Sequence, residues 1–201
     1  MAQKYFVFTE NKCLLFSSYQ QDSEQSVWKK KDLNAEKLWH LIHSQLDEVI
    51  DLGIPFELFS KAFKRVVAAG GLVSSGKNLL MIYRNHKWDL PKGWMESEEF
   101  PMQTALREVR EECGQLDLTV TADVPIITYH IYRTKSKFLL KETHWFKMTA
   151  APPHSLSPQS SEGIAKVEFV PHEIVSDRLE NSYPMIRWIW ESIQGQNEFI
   201  G

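Results

Sequence analysis

Cysteine is scarce in this chain of 201 residues, which has two, Cys13 and Cys113. They lie far apart and make no metal-ligand spacing, so both read as ordinary thiols of a reducing compartment. Long apolar runs are missing as well. No stretch approaches the roughly 20 apolar residues that a bilayer-spanning helix requires. The opening MAQKYFVFTENK, with a short apolar run before Glu10, reads as neither a signal peptide nor an anchor. An excess of positive charge is absent too. A net charge of −3 gives no broad attraction to a polyanion, which disfavours non-specific binding to nucleic acid or to a membrane surface. What remains, 43% hydrophobic and 24% charged residues, is the composition of a globular protein, expected to be soluble and cytoplasmic.

The pattern along the chain divides near residue 63. KYFVF (4–8) and KCLLF (12–16) read as two strands of a hairpin around Glu10-Asn11, followed by a polar loop at 17–26. Apolar residues at 38, 41, 42, 46, 49 and 50 form the stripe of an amphipathic helix over 33–50, closed by Gly53 and Pro55. Residues 1–63 thus make a small α/β unit, too small to stand alone. Tyr5, Phe6, Phe8, Trp28 and Trp39 make it aromatic. Core and interdomain packing accounts for that most simply, with a homodimer surface or a lid over a site as alternatives. Beyond it, strands are expected at 65–73, 79–84, 117–121, 126–133 and 138–149. Helices follow from the pattern at 101–113 and 183–193, a loop at 151–163, and a short strand at KVEFV. The expected class is α+β, a mixed sheet between helices in an α/β/α sandwich, over residues 64–201.

GLVSSGKN (71–78) has the GxxxxGK spacing of a phosphate-binding loop, but Asn78 stands where Ser or Thr would ligate magnesium, and β-rich LLMIY follows instead of a helix. A turn between two strands is the better reading.

REVREECG (107–114) carries the chemistry. On a helix at ~100° per residue, Met102, Ala105, Leu106, Val109 and Cys113 share the core-facing side. Glu108, Glu111 and Glu112 stand at i, i+3 and i+4 on a neighbouring arc, so their carboxylates converge. Pairing of Arg107 with Glu111 contributes about 0.2–0.5 kcal/mol, and Glu108 against Glu112 costs a similar amount. Those terms alone are compatible with an ordinary solvated face.

The wider spacing is not. Gly93, Glu99, Arg107, Glu108, Val109, Glu111, Glu112 and Gly114 make G-x5-E-x7-R-E-V-x-E-E-x-G. Eight such matches arise by chance about once in a billion windows. The pattern resembles the Nudix box, departing from it only at a final apolar position, where Gln115 stands. WDLPKG (88–93) is similar to the approach to that box in many family members.

The resemblance implies the Nudix fold over about residues 64–200. It also implies hydrolysis of a phosphoanhydride in a nucleoside diphosphate linked to another moiety, X. Glu108, Glu111 and Glu112 would ligate Mg²⁺ or Mn²⁺, with the Gly93 carbonyl as a further ligand. Glu99 and Arg107 would form a structural ion pair. The general base would be Glu162, on the late loop SSEGI, or else Glu112 or Glu108. Arg84 and Lys92 would pair with substrate phosphates. Trp88 would pack beneath the loop. Tyr132 lies 17 residues after Gln115, a position resembling a base-stacking tyrosine of diadenosine polyphosphate hydrolases. The PKG approach also occurs in diphosphoinositol polyphosphate hydrolases, for which Lys135, Lys137 and Lys141 supply modest basic material. ADP-ribose and RNA 5′ ends are chemically equivalent alternatives, the latter disfavoured by the acidic balance. A non-catalytic nucleotide-sensing module is the alternative class. It would be expected to have lost box carboxylates, and all are present here.

Overall fold

Apolar and β-branched runs broken by turn residues set most of the elements. The structure, a computed structural model, describes residues 4–17, 34–44, 49–51, 54–152 and 155–195. In chain order these form β1 (Lys4–Phe8), β2 (Cys13–Ser17), α1 (Ala35–Ser44), β3 (Val49–Asp51), α2 (Phe56–Ser60), β4 (Lys64–Ser75) and β5 (Asn78–Arg84). There follow β6 (Lys87–Asp89), β7 (Lys92–Trp94), α3 (Pro101–Cys113), β8 (Asp117–Val120), β9 (Ile126–Arg133) and β10 (Phe138–Ala151). A 3₁₀ turn at Ser160–Glu162, then β11 (Ile164–Pro171), α4 (His172–Leu179) and α5 (Pro184–Ile193), complete the order.

The chain divides into two compact units, one of residues 1–66, 128–142 and 191–201, the other of 67–127 and 143–190. In the first, β1 and β2 form the antiparallel hairpin, in register from Lys4↔Ser17 to Phe8↔Cys13. The Thr9 N–H donates to the Lys12 carbonyl at 2.8 Å across its turn. β9 runs parallel to β1, and β3 parallel to β2. Asn34 accepts the Lys37 N–H at 2.9 Å through its side chain and so starts α1. The core is aromatic: Phe16, Phe56, Phe59 and Phe63 gather with Leu38, Ile42 and Ile131, and Tyr5 stacks on Phe56 with centroids 4.3 Å apart.

The helix expected over 33–50 is shorter than its apolar stripe. Its described part is Ala35–Ser44, residues 45–48 lie outside the described residues, and β-branched Val49 and Ile50 go into a strand beside β2. The expectations for Trp28, Gly53 and the part of the polar loop after Ser17 lie outside the described residues.

In the second unit α3 lies on the sheet. Ala105, Val109 and Cys113 pack against Ala69, Val73, Leu80, Ile82 and Phe146. β11 pairs antiparallel with β5 from Ile164↔Arg84 to Pro171↔Asn78, with a bulge at its start. β6 folds back on β5, and β7 pairs with β4 through Ala69↔Gly93. The GxxxxGK stretch is the β4–β5 turn, with Gly76 at φ 57°. Pro101 opens α3, and Gly114 ends it at φ 106°, where a Cβ would also collide with the Ser155 carbonyl. Among the described residues no helix is long and apolar enough to cross a membrane.

Candidate active site

Two guanidinium groups organise the acidic residues of α3. Arg107 makes a two-pronged pair with Glu99, Nε to Oε1 at 2.6 Å and Nη2 to Oε2 at 2.8 Å. Its Nη1 donates to Glu108 at 2.7 Å and to Glu111 at 3.0 Å, and its Nη2 donates to the Trp94 carbonyl at 2.9 Å. Glu99 in turn accepts the Thr104 hydroxyl at 2.7 Å and the Glu96 N–H at 3.1 Å. The Arg107 hydrogen bond, aided by these donors, holds the Glu99 carboxyl down at about 2. The loop between β7 and α3 is thereby fastened to the helix it precedes.

The second guanidinium belongs to Arg84 at the end of β5. Its Nη1 lies 3.2 Å from Glu112 and 3.4 Å from Glu162, and its Nη2 lies 3.7 Å from Asp89. Register explains the meeting: Ile164 is opposite Arg84 across β5 and β11, and Asp89 is opposite Ile82 across β5 and β6. Glu112 is fully buried, and its other oxygen accepts the Lys92 N–H at 2.8 Å. Burial pushes its carboxyl up to about 7, against the pull of Lys92 and Arg84. Glu108, 6% exposed, is also raised by burial, with Arg107 opposing and Glu111 and Glu162 reinforcing the shift. Two of the three box glutamates are therefore inside the protein, and Glu111 is exposed. A solvated charged face is ruled out for Glu108 and Glu112.

Gly93 adjoins this cluster. A Cβ there would overlap the Glu108 carboxylate, so the carboxylate occupies room that any other residue would fill. Lys92 is buried, with its ammonium on Asp89 at 2.5 Å and on the Leu90 carbonyl at 3.3 Å. Trp88 is buried, with its ring against Tyr83 at 5.1 Å and beneath the Arg178 guanidinium at 4.8 Å. Tyr132 belongs to the other unit. Its ring stacks on His130 at 5.8 Å, Lys141 stands 6.0 Å above it, and its buried hydroxyl has no hydrogen-bond partner among the described residues. Asp89 escaped the sequence reading. The available signal was its i, i+3 spacing to Lys92 within WDLPKG.

Among the described residues no three His, Cys, Asp or Glu side chains stand as a formed metal cluster, because the carboxylates are turned to the two arginines. The donor set nonetheless fits a hard divalent cation. It is made of oxygens, Glu108 and Glu112 are both buried, and Gly93 lacks the Cβ that would push the Glu108 carboxylate from its place.

Residues 64–189 match the family model described as NUDIX domain. Similar solved structures include an Ap4A hydrolase from C. elegans, 21% identical, over 65% of this chain and 96% of that one, with a TM-score of 0.49. A mutator MutT protein from Bacillus halodurans is 24% identical over 64% and 81%, with a TM-score of 0.47. A bifunctional NMN adenylyltransferase/ADP ribose pyrophosphatase from Francisella tularensis is 18% identical over 83% of this chain and 48% of that one, with a TM-score of 0.51. With the matched segment taking up more than half of the chain, the protein belongs to the NUDIX family and is a hydrolase acting on phosphoanhydrides.

Proposed function

We propose that the chain is a metal-dependent pyrophosphohydrolase that cleaves a phosphoanhydride bond in a nucleoside diphosphate linked to X, with diadenosine polyphosphates or related nucleotides as substrates. The observation that carries this reading is the sharing of one guanidinium by Glu112, on the helix, and Glu162, from a loop far along the chain. In this reading Glu112 is the buried carboxylate that would bind the metal, and half-exposed Glu162 beside it is able to take a proton from water. Glu108, Glu111 and Glu112, with the Gly93 carbonyl, are the residues to hold Mg²⁺ or Mn²⁺. When bound, such an ion neutralises phosphate charge and makes water a better nucleophile.

The remaining steps belong to side chains. Glu162 accepts the proton of the attacking water, with Glu112 or Glu108 as the competing base. The P–O–P bridge opens, and each half leaves with its phosphate. Arg84 steadies phosphate oxygens, while the buried Lys92 ammonium stays on Asp89 beside it. The Glu99–Arg107 pair keeps the loop in place. In this reading residues 64–201 perform hydrolysis in the cytoplasm, while residues 1–63 form an accessory unit that supports substrate choice or a homodimer.

The test is a substrate panel with Mg²⁺ or Mn²⁺, read by phosphorus NMR: diadenosine polyphosphates, ADP-ribose, dinucleotides, nucleoside triphosphates and diphosphoinositols. Fastest cleavage of diadenosine polyphosphates is expected. Preference for ADP-ribose or diphosphoinositols moves the substrate within the class, and no turnover of any member replaces the enzyme with a sensor.

A further inference from the structure

Arg84 has an unusual place for a cation meant for substrate. Its three carboxylate partners stand at 3.2, 3.4 and 3.7 Å. A charge-assisted N–H···O⁻ contact ordinarily settles near ~2.7–2.9 Å. The guanidinium is thus divided among Glu112, Glu162 and Asp89, and optimal for none. Two of those three are the carboxylates assigned above to metal binding or to base chemistry. The third differs. Asp89 is 3% exposed, and its carboxylate is pinned by the Leu90 N–H at 2.8 Å and by the Lys92 ammonium at 2.5 Å. It cannot follow a departing partner.

We propose that Arg84 is a resident counter-cation seated where the divalent ion enters, and that Asp89 is a positioning residue that keeps the displaced guanidinium beside the site. The inference rests on the reading of this cluster as a metal centre. Without metal, Glu112 is buried and needs compensation, which Arg84 and the Lys92 N–H provide. A doubly charged ion outcompetes a spread monovalent cation for the same oxygens. The guanidinium released from Glu112 and Glu162 stays tethered through Nη2 to Asp89. Its Nη1 is then free for a phosphate oxygen. One arginine therefore balances the empty site and serves the filled one, and the exchange makes substrate affinity depend on metal occupancy.

Mn²⁺ binding to the full chain without substrate, followed by electron paramagnetic resonance of the free ion, tests the exchange. Removing the competitor in Arg84→Met should tighten Mn²⁺ binding about tenfold. Arg84→Lys keeps the charge but cannot bridge three carboxylates, and should fall between Met and wild type. Asp89→Asn should weaken Mn²⁺ binding severalfold in the wild-type background and have no effect in the Arg84→Met background, because it acts through the arginine. Circular dichroism on each variant certifies folding, and Arg84→Lys carries the test alone if the methionine variant does not fold.

Unchanged or weaker Mn²⁺ binding in Arg84→Met overturns the proposal. So does wild-type affinity in Arg84→Lys, which would make the effect one of field and not of seating. Equal loss from Asp89→Asn in both backgrounds removes the tether. If the wild-type chain binds Mn²⁺ and turns over substrate while these variants behave otherwise than stated, this inference alone falls. If it neither binds Mn²⁺ nor hydrolyses anything, the proposed function falls with it.

Discussion

Arg107 and Arg84 each gather three carboxylates, and the contrast between them explains how one helix can be both scaffold and site. Arg107 meets Glu99, Glu108 and Glu111 at 2.6–3.0 Å, with both prongs of its fork engaged. Arg84 meets Asp89, Glu112 and Glu162 at 3.2–3.7 Å. Close, two-pronged contacts fix a loop in one geometry. Distant, divided contacts balance charge without fixing it, as a position that must later accept another cation requires. The difference lies in where the partners come from. Glu99, Glu108 and Glu111 are on or next to a single helix, whereas Asp89, Glu112 and Glu162 arrive on a strand end, a helix and a loop.

The largest effect should come from removing the buried charge in the looser cluster. Glu112→Gln preserves shape and should lower kcat by roughly a thousandfold or more. Its melting temperature should match or exceed that of wild type, since ionised Glu112 is disfavoured by burial. A near-wild-type rate would refute its role as ligand. Glu162→Gln, in the same cluster but half exposed, should cost roughly a hundredfold or more in kcat if this residue is the base. A rate within severalfold of wild type returns the base to Glu112 or Glu108.

The tighter cluster should fail differently. Arg107→Ala strands Glu108, whose side chain is 8% exposed, and frees the loop at Glu99. A loss of about 2–3 kcal/mol in unfolding free energy, measured in urea, is expected. A change below about 0.5 kcal/mol would mean that Arg107 is no lock.

The sequence made the tighter cluster nearly legible and hid the looser one. Arg107, Glu108 and Glu111 are helical neighbours, and Glu99 stands at a motif spacing, so periodicity and pattern suffice to place them together. The α3 span and the positive φ of Gly114 follow from the same local signals. Arg84, Asp89 and Glu162 meet only because β6 and β11 both pair with β5, and strand pairing between distant segments leaves no periodic trace. The same limit hid α4, where Val175 and Leu179 alone are buried and make too little of a stripe. It hid α2 as well, whose five residues are too few to show a period. The overlong reading of α1 has the opposite cause. Val49 and Ile50 continue the helical stripe by spacing, but β-branching and a place beside β2 win locally.

The smallest effect separates the two clusters by pH. Glu99 has its folded carboxyl at about 2, below the reference 4.5, chiefly through its hydrogen bond to Arg107. The folded state therefore binds fewer protons at this site than the unfolded chain does. The resulting stabilisation is complete above about 4.5 and is lost as pH falls toward 2. Because this pair is partly exposed, its worth should stay under about 1 kcal/mol. Wild type should exceed Glu99→Gln in unfolding free energy at pH 6, and the gap should shrink steadily on acidification to pH 3. A gap that holds constant across that range would mean that ionised Glu99 is not what holds the Arg107 cluster together, and the lock would have to be credited to Glu108 and the Trp94 carbonyl instead.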